Sequence, residues 1–286
     1  MSRIKAASAG SSEHKKPDEP YNATVTDWVD LSDELAIFRV KPDSGQVPEF
    51  TAGQFAMLAL PRNHPPIADP KAYPPDDPRW KKLVRRAYSI ASSPLERDYL
   101  EFYVVMVEDG KLTPKIWDQK AGSRIWLDSR INGDFTLDGV PDQQDLVMVS
   151  TGTGLAPYIS MYKTYRNTGR WRRFVMIHGV RYQQDLGYRE ELEKIAAEDD
   201  SFIYIPTLSR EPEDSNWQGL RGRVSELLEP EMYKKLVKAE LDPDDAHVYL
   251  CGNPAMIDQC EGMLVDRGFV VQTKKQPGNL HFERYW

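Results

Sequence analysis

The order of two hydrophobic patterns constrains this chain more than any other feature. From Asp145 onward, short apolar runs alternate with helical ones: "DLVMVST" and "GLAPYISMYKTYR", "RRFVMIHGV" and "YREELEKIAAED", "FIYIPTLS" and "VSELL", then "HVYLCG" and "PAMIDQCEGMLVDRG". Strands alternating with helices of these lengths predict a doubly wound parallel sheet. Before Asp145 the runs are strand-like: "ATVTDWVDL", "LAIFRVK", "FTAGQFAMLAL", "AYSIAS", "YLEFYVVMV" and "SRIWLD", broken by Gly, Pro and Asp. Six short strands with one helical segment predict a small antiparallel β-barrel. The division falls near Val140–Gln143, giving an N-terminal tail at 1–20, a barrel at 21–141 and an α/β lobe at 142–286. At 286 residues each half is long enough to bury its own core.

Between the third and fourth strands lies "PRNHPPIADPKAYPPDDPRWKK", which holds seven of the 21 prolines. It is expected to be an extended loop, neither helix nor central strand. The opening segment "MSRIKAASAGSSEHKKPDEP" lacks the apolar centre of a signal peptide and reads as a disordered tail, which points to the cytoplasm. No run approaches the roughly 18 apolar residues of a membrane span. The net charge of −7 argues against nucleic-acid binding. Cys251 and Cys260 are the only cysteines, too few for a disulfide framework, a zinc site or a four-cysteine iron–sulfur cluster. Any redox centre is therefore an organic cofactor or sits on a partner.

Seven motifs carry chemistry, and each has a plainer reading beside it. "RRAYSIASSP" puts Arg86, Tyr88 and Ser89 at the start of an apolar strand. They form either a basic-flanked edge or a cradle for a planar anion. "STGTGLAPYISM" is a strand, a glycine turn and a helix, where backbone N–H groups meet a pyrophosphate. A tight turn without ligand would use the same glycines, and the third glycine of the dinucleotide fingerprint is absent. "DGKLTPKIWDQ" offers Thr113 as a helix N-cap with Pro114 after it, which is also just a capped helix. "LCGNPAMID" places Cys251 and Gly252 at the carboxyl end of the sheet, where the thiol serves packing or faces hydride transfer.

"LSRE" and "GLRGRVSE" supply Arg210, Arg221 and Arg223, which either bind a 2′-phosphate or remain solvated. The closing "HFERYW" ends on Tyr285 and Trp286, a core plug or an aromatic lid. "RWKKLVRR" carries five positive charges and no negative one, a solvated face or a dock for an acidic partner.

"RAYS", "GKLTP", "TGTGLAP", "SRE…GR", "CGNP" and the final "YW", in this order from Arg86 to Trp286, resemble the ferredoxin/flavodoxin–NADP+ reductase family, in its bacterial form with an aromatic C-terminus. The resemblance implies an FAD-binding barrel and an NADP-binding α/β lobe. It implies Arg86, Ala87, Tyr88 and Ser89 at the FAD pyrophosphate and flavin ring, Tyr103 on the adenosine side, and Lys111, Leu112 and Thr113 as the pyrophosphate loop. Thr153 would lie between the cofactors, and Tyr285 and Trp286 would cover the flavin. Arg181, Ser209, Arg210 and Arg223 would read the 2′-phosphate of NADP(H), with Gly252, Asn253, Pro254 and Met256 along the dinucleotide. Ser89, Cys251, Glu283 and Trp286 are the candidate catalytic residues.

The implied activity is electron transfer between NADPH and a one-electron carrier, ferredoxin or flavodoxin, by a monomer. The alternatives are the reductase component of an oxygenase, a free-flavin reductase, or a flavin-binding regulatory subunit. The long insert at Pro61–Lys82 and the N-terminal tail depart from the family pattern and bear on the partner.

Overall fold

A computed structural model of the chain describes residues 20–67, 71 and 73–284. The tail at 1–19 and the Tyr285–Trp286 pair lie outside the described residues. The first half contains strands β1 (Ala23–Ser32), β2 (Leu35–Pro42), β3 (Phe55–Pro61), β4 (Leu83–Ser89), β5 (Leu100–Val105) and β6 (Arg124–Leu127). They form an antiparallel sheet in the order β4-β3-β6-β1-β2-β5. A bridge between Ile90 and Phe102 joins the two ends of that order, with Ala91 N–H donating to the Glu101 carbonyl. The sheet is thus closed into the expected barrel. Its interior is Val25, Phe38, Val40, Leu58, Leu60, Ile90, Leu100 and Phe102, each essentially inaccessible to water. On the order of 1.5–3 kcal/mol per large apolar side chain favours such burial.

Helix α1 (Thr113–Trp117) follows β5. The predicted Thr113 cap is corrected here, because Leu112 occupies the capping position and Thr113 is the first helical residue. The Thr113 hydroxyl donates instead to the Val107 carbonyl at 3.0 Å and accepts from the Val107 N–H at 3.2 Å, closing the 107–113 loop.

The proline-rich insert also differs from a plain loop. Asp77 caps a short 3-10 turn at Pro78–Lys81, with proline in the first turn where no N–H is needed. Buried Lys115 of α1 anchors the insert, donating to the His64 carbonyl and to that of Pro66 at 2.6 Å.

The second half holds β7 (Asp145–Thr151), α2 (Ala156–Tyr165), β8 (Arg173–Val180), α3 (Arg189–Glu198), β9 (Phe202–Leu208), β10 (Leu220–Arg221), α4 (Pro230–Val237), β11 (Ala246–Gly252), α5 (Pro254–Val265) and β12 (Leu280–Arg284). The strands form one parallel sheet in the order β10-β9-β8-β7-β11-β12. The chain winds outward from β7 in one direction, then returns to β11 on the other side. The gap between β7 and β11 is therefore the switch point, where open α/β sheets receive ligands at their carboxyl ends. The sequence patterns did not mark β10, α4 or β12.

The two halves share a core. Phe135, Leu137 and Val140 pack with Tyr158 and Tyr249 of the parallel sheet, and Leu35, Ala52, Ala91 and Tyr103 of the barrel belong to the same buried cluster. Among the described residues no helix is long and apolar enough to cross a membrane.

Candidate active site

The carboxyl ends of β7 and β11 meet closely. A Cβ on Gly154 would lie 2.3 Å from the Cys251 carbonyl oxygen, so only glycine lets these two turns touch. The Thr151 hydroxyl accepts from the Asn253 N–H at 2.9 Å, and the Asn253 side chain accepts from Ala255 N–H at 2.9 Å, capping α5. Pro254 begins that helix and Met256, one turn in, is half-buried. Thr153 lies half-exposed in the neighbouring turn. These residues, expected along a dinucleotide, stand together at the switch point.

β12 brings the chain's C-terminal segment to the same place. In register, Glu283 pairs with Cys251 and Arg284 with Gly252. Arg284 ties this strand to α5 through Asp258 at 2.8 Å and Glu261 at 3.0 Å. Cys251 is fully buried. The Ser89 hydroxyl, at the end of β4 in the barrel, donates to Glu283 Oε2 at 3.3 Å. Burial pushes the Glu283 carboxyl up to about 7, against a smaller opposing effect of the Ser89 hydrogen bond. This carboxyl therefore holds or releases a proton near neutrality, beside a hydroxyl that can share it.

Upstream of Ser89, β4 presents Arg86 and Ala87 to solvent and Tyr88 half-buried against the barrel core. Burial also raises the Tyr88 phenol, so its ring offers a neutral face. Across the barrel, Lys111 is exposed while Leu112 and Thr113 are buried. Among the described residues no group accepts from the backbone N–H of Lys111, Leu112 or Thr113. An arginine and a ring face on β4 and, in the loop after β5, N–H groups with no acceptor among the described residues are each of the kind that suits a nucleotide with a pyrophosphate.

The arginines expected at a 2′-phosphate gather at the ends of β8 and β9. Arg210 N–H donates to the Arg181 carbonyl at 3.0 Å, and Ser209 N–H to that of Val180 at 2.9 Å. Arg223 follows Gly222, whose N–H donates to the Leu208 carbonyl at 2.9 Å. Arg181, Arg210 and Arg223 are all exposed, whereas Arg221 is bound to the carbonyls of Glu211 and Trp217 and pins their loop.

Tyr103 stands apart from this grouping. It is 3% exposed, its hydroxyl donates to the Asp185 carbonyl at 3.0 Å and accepts from Gly187 N–H at 3.1 Å. The expectation of an adenosine-side wall does not match that placement, since the side chain is consumed by the interface between the halves. Neighbouring Glu101, equally buried, bonds Arg39 at 2.9 Å and accepts from the Tyr188 hydroxyl at 3.0 Å. Sequence reasoning missed this bridge, because Tyr103 and Asp185 are 82 positions apart and no local pattern links them.

The basic run is less uniform than its sequence suggests. Arg79 forms a two-pronged pair with Asp77, down to 2.6 Å, and lies over the Tyr73 ring at 4.2 Å. That pairing holds the Asp77 carboxyl at about 2, well below the usual range. Arg85 lies over Trp126 at 4.4 Å. Lys81 and Lys82, before β4, and Arg85 and Arg86, within it, are exposed.

Comparison with known proteins adds names to this geometry. A family model described as an oxidoreductase NAD-binding domain matches residues 148–262. The flavodoxin/ferredoxin–NADP reductase of Shigella flexneri is 33% identical over 92% of this chain and 96% of its own length. A crystal structure of a ferredoxin NADP+ reductase from Neisseria gonorrhoeae with bound FAD and NADP superposes with a TM-score of 0.76, at 27% identity, over 93% of this chain and 99% of that one. The reductase component of phenol 2-monooxygenase from a Pseudomonas strain is 30% identical over 90% of this chain but only 66% of its own length.

Proposed function

Because the chain belongs to the flavodoxin/ferredoxin–NADP reductase family, we propose that it is an FAD-dependent oxidoreductase carrying electrons between NADPH and ferredoxin or flavodoxin. Residues 21–141 would bind FAD and residues 142–286 NADP(H), in the cytoplasm. The observation that carries this reading is the Ser89–Glu283 contact, which joins the end of a barrel strand to the carboxyl end of the parallel sheet. Two cofactor-binding halves must converge at one point for electrons to pass, and this contact marks it.

Bound FAD would supply the redox step, taking a hydride from nicotinamide and releasing electrons singly. The chain's own residues supply orientation and charge. Arg86 and the N–H groups of 111–113 would neutralise the pyrophosphate, and Tyr88 would press its ring on the flavin. Ser89 and Glu283 would hold a proton at the flavin edge near pH 7. Arg181, Arg210 and Arg223, converging from adjacent strand ends, would select NADPH over NADH. Cys251 would back the face where nicotinamide lands. Lys81, Lys82 and Arg85 would attract an acidic carrier toward that edge.

The oxygenase-component reading draws on the phenol 2-monooxygenase reductase component, 30% identical over 90% of this chain. The direct test removes the cradle: Arg86→Ala with Tyr88→Ala should yield a folded, colourless protein, while the parent purifies yellow. A yellow double variant would show that flavin sits elsewhere.

A further inference from the structure

One buried group takes no part in the assignments above. His178, on β8 in register with Ser150 and Pro206, is fully buried. Its two ring nitrogens have different partners. Nε2 lies 3.1 Å from the carbonyl oxygen of Gly152, and Nδ1 lies 3.2 Å from the Tyr204 hydroxyl on β9. A carbonyl can only accept, so Nε2 must carry the hydrogen. Burial lowers the ring to about 4, so it is neutral near pH 7 and Nδ1 is then an acceptor. The Tyr204 O–H consequently donates to Nδ1. Burial raises the Tyr204 phenol well above its ordinary value, which keeps that proton in place. The Gly152 carbonyl fixes the tautomer, and the Tyr204 hydroxyl satisfies the other nitrogen and holds the ring in its plane.

Gly152 is where β7 turns into α2. Its φ is +54°, and two residues later Gly154 touches the Cys251 carbonyl. A leucine or methionine could fill the His178 site, as Met176 does two residues earlier on the same face. What only histidine brings there is an N–H aimed out of the core at the turn.

We propose that His178 is a positioning residue that holds the 152–155 turn in the shape required to receive the dinucleotide, with Tyr204 orienting its ring through Nδ1. The proposal rests on the NADPH reading of the site. It extends that reading to two residues remote from the arginine cluster.

The test uses the flavin-loaded enzyme, NADPH and ferricyanide, with His178→Leu, His178→Gln, Tyr204→Phe and the double variant His178→Leu/Tyr204→Phe. Loss of one buried hydrogen bond should raise the NADPH KM on the order of tenfold in His178→Leu, with a smaller change in kcat. His178→Gln keeps an N–H donor and should recover most of the loss, which a volume-filling role would not predict. Tyr204→Phe leaves Nδ1 without its donor while the Gly152 carbonyl keeps the hydrogen on Nε2, so nitrogen NMR should show the Nε2–H tautomer retained and the KM should rise by a smaller factor. Both act through one contact, so the double variant should behave like His178→Leu alone.

Should His178→Leu fail to fold, His178→Gln and Tyr204→Phe carry the test. A parent KM in Tyr204→Phe, a parent ring that carries its hydrogen on Nδ1 by nitrogen NMR, or His178→Gln no better than His178→Leu, overturns the proposal. So do additive effects in the double variant. A parent enzyme that NADPH does not reduce overturns the reading of the whole site. Normal parent kinetics with unchanged variants overturn this inference alone.

Discussion

Glu283 shows how one residue can be poised by its surroundings. The folded protein keeps its carboxyl protonated up to about pH 7, whereas the ordinary value is 4.5. Between those values the folded state holds the extra proton, so this group's stabilising contribution is full below about pH 4.5 and is lost as pH rises through 7. Replacing it with a neutral isostere removes that dependence. Glu283→Gln should melt close to the parent near pH 5 and above it near pH 8, read as melting temperature against pH. A parallel pH profile in parent and variant would show that Glu283 ionises normally. In turnover, NADPH binding should persist while kcat falls on the order of a hundredfold.

Glu283 was readable in the sequence only as the residue three positions before Trp286 in "FERYW"; its burial comes from β12. That strand, "LHFER", offers no clean apolar alternation, because alternate side chains face the site and the neighbouring helix. Arg86, Tyr88 and Ser89 were legible because they occupy consecutive or alternate positions of one strand.

At the scale of elements, the six barrel strands, strands β7, β8, β9 and β11 and helices α2, α3 and α5 were legible from periodicity, while "VSELL" forms a 3-10 turn. The omissions have identifiable causes. β10 is two residues long, and α4 begins at Pro230, which reads as a break unless it is recognised as a first helical position. The short 3-10 turn at Pro78–Lys81 is hidden among prolines, and it changes the meaning of the basic run. Arg79 is neutralised within it by Asp77, leaving Lys81 and Lys82 free to meet an acidic carrier together with Arg85. Lys81→Ala with Lys82→Ala should therefore slow reduction of ferredoxin or flavodoxin at low salt and flatten its salt dependence. Ferricyanide reduction should hardly change. Carrier reduction at the parent rate would move the docking face elsewhere, and Arg79→Ala should have the smaller effect of the two.

Across the whole molecule, the relation between the halves was not legible at all. Tyr103 and Glu101 on the barrel reach Asp185, Gly187 and Tyr188, and Ser160 of α2 donates to the Ser92 carbonyl at 2.7 Å. These contacts span long sequence separations, so no local pattern encodes them. They hold the barrel cradle and the arginine cluster at a fixed distance from Ser89 and Glu283. Tyr103→Phe removes both bonds from the barrel and leaves the Asp185 carbonyl and Gly187 N–H only their bond to each other at 3.0 Å, at a cost of about 0.5–1.5 kcal/mol. Amide exchange should accelerate around 183–188 and the denaturation midpoint should fall. An unchanged midpoint would mean that the shared apolar core alone fixes the halves.

The central claim, that a flavin held by the barrel accepts electrons from NADPH selected by three arginines, is tested most directly by anaerobic titration of the purified protein with NADPH and NADH, followed by visible absorbance, in the parent and in Arg210→Ala. The parent should carry FAD in near-stoichiometric amount, be bleached by roughly equimolar NADPH and respond far more weakly to NADH. Arg210→Ala should weaken NADPH binding by about 1.5–3 kcal/mol, the value of a charge-assisted hydrogen bond, and leave the NADH response unchanged. A colourless protein that binds no added FAD, a flavin bleached by neither nucleotide, or equal losses for both nucleotides in Arg210→Ala would contradict it.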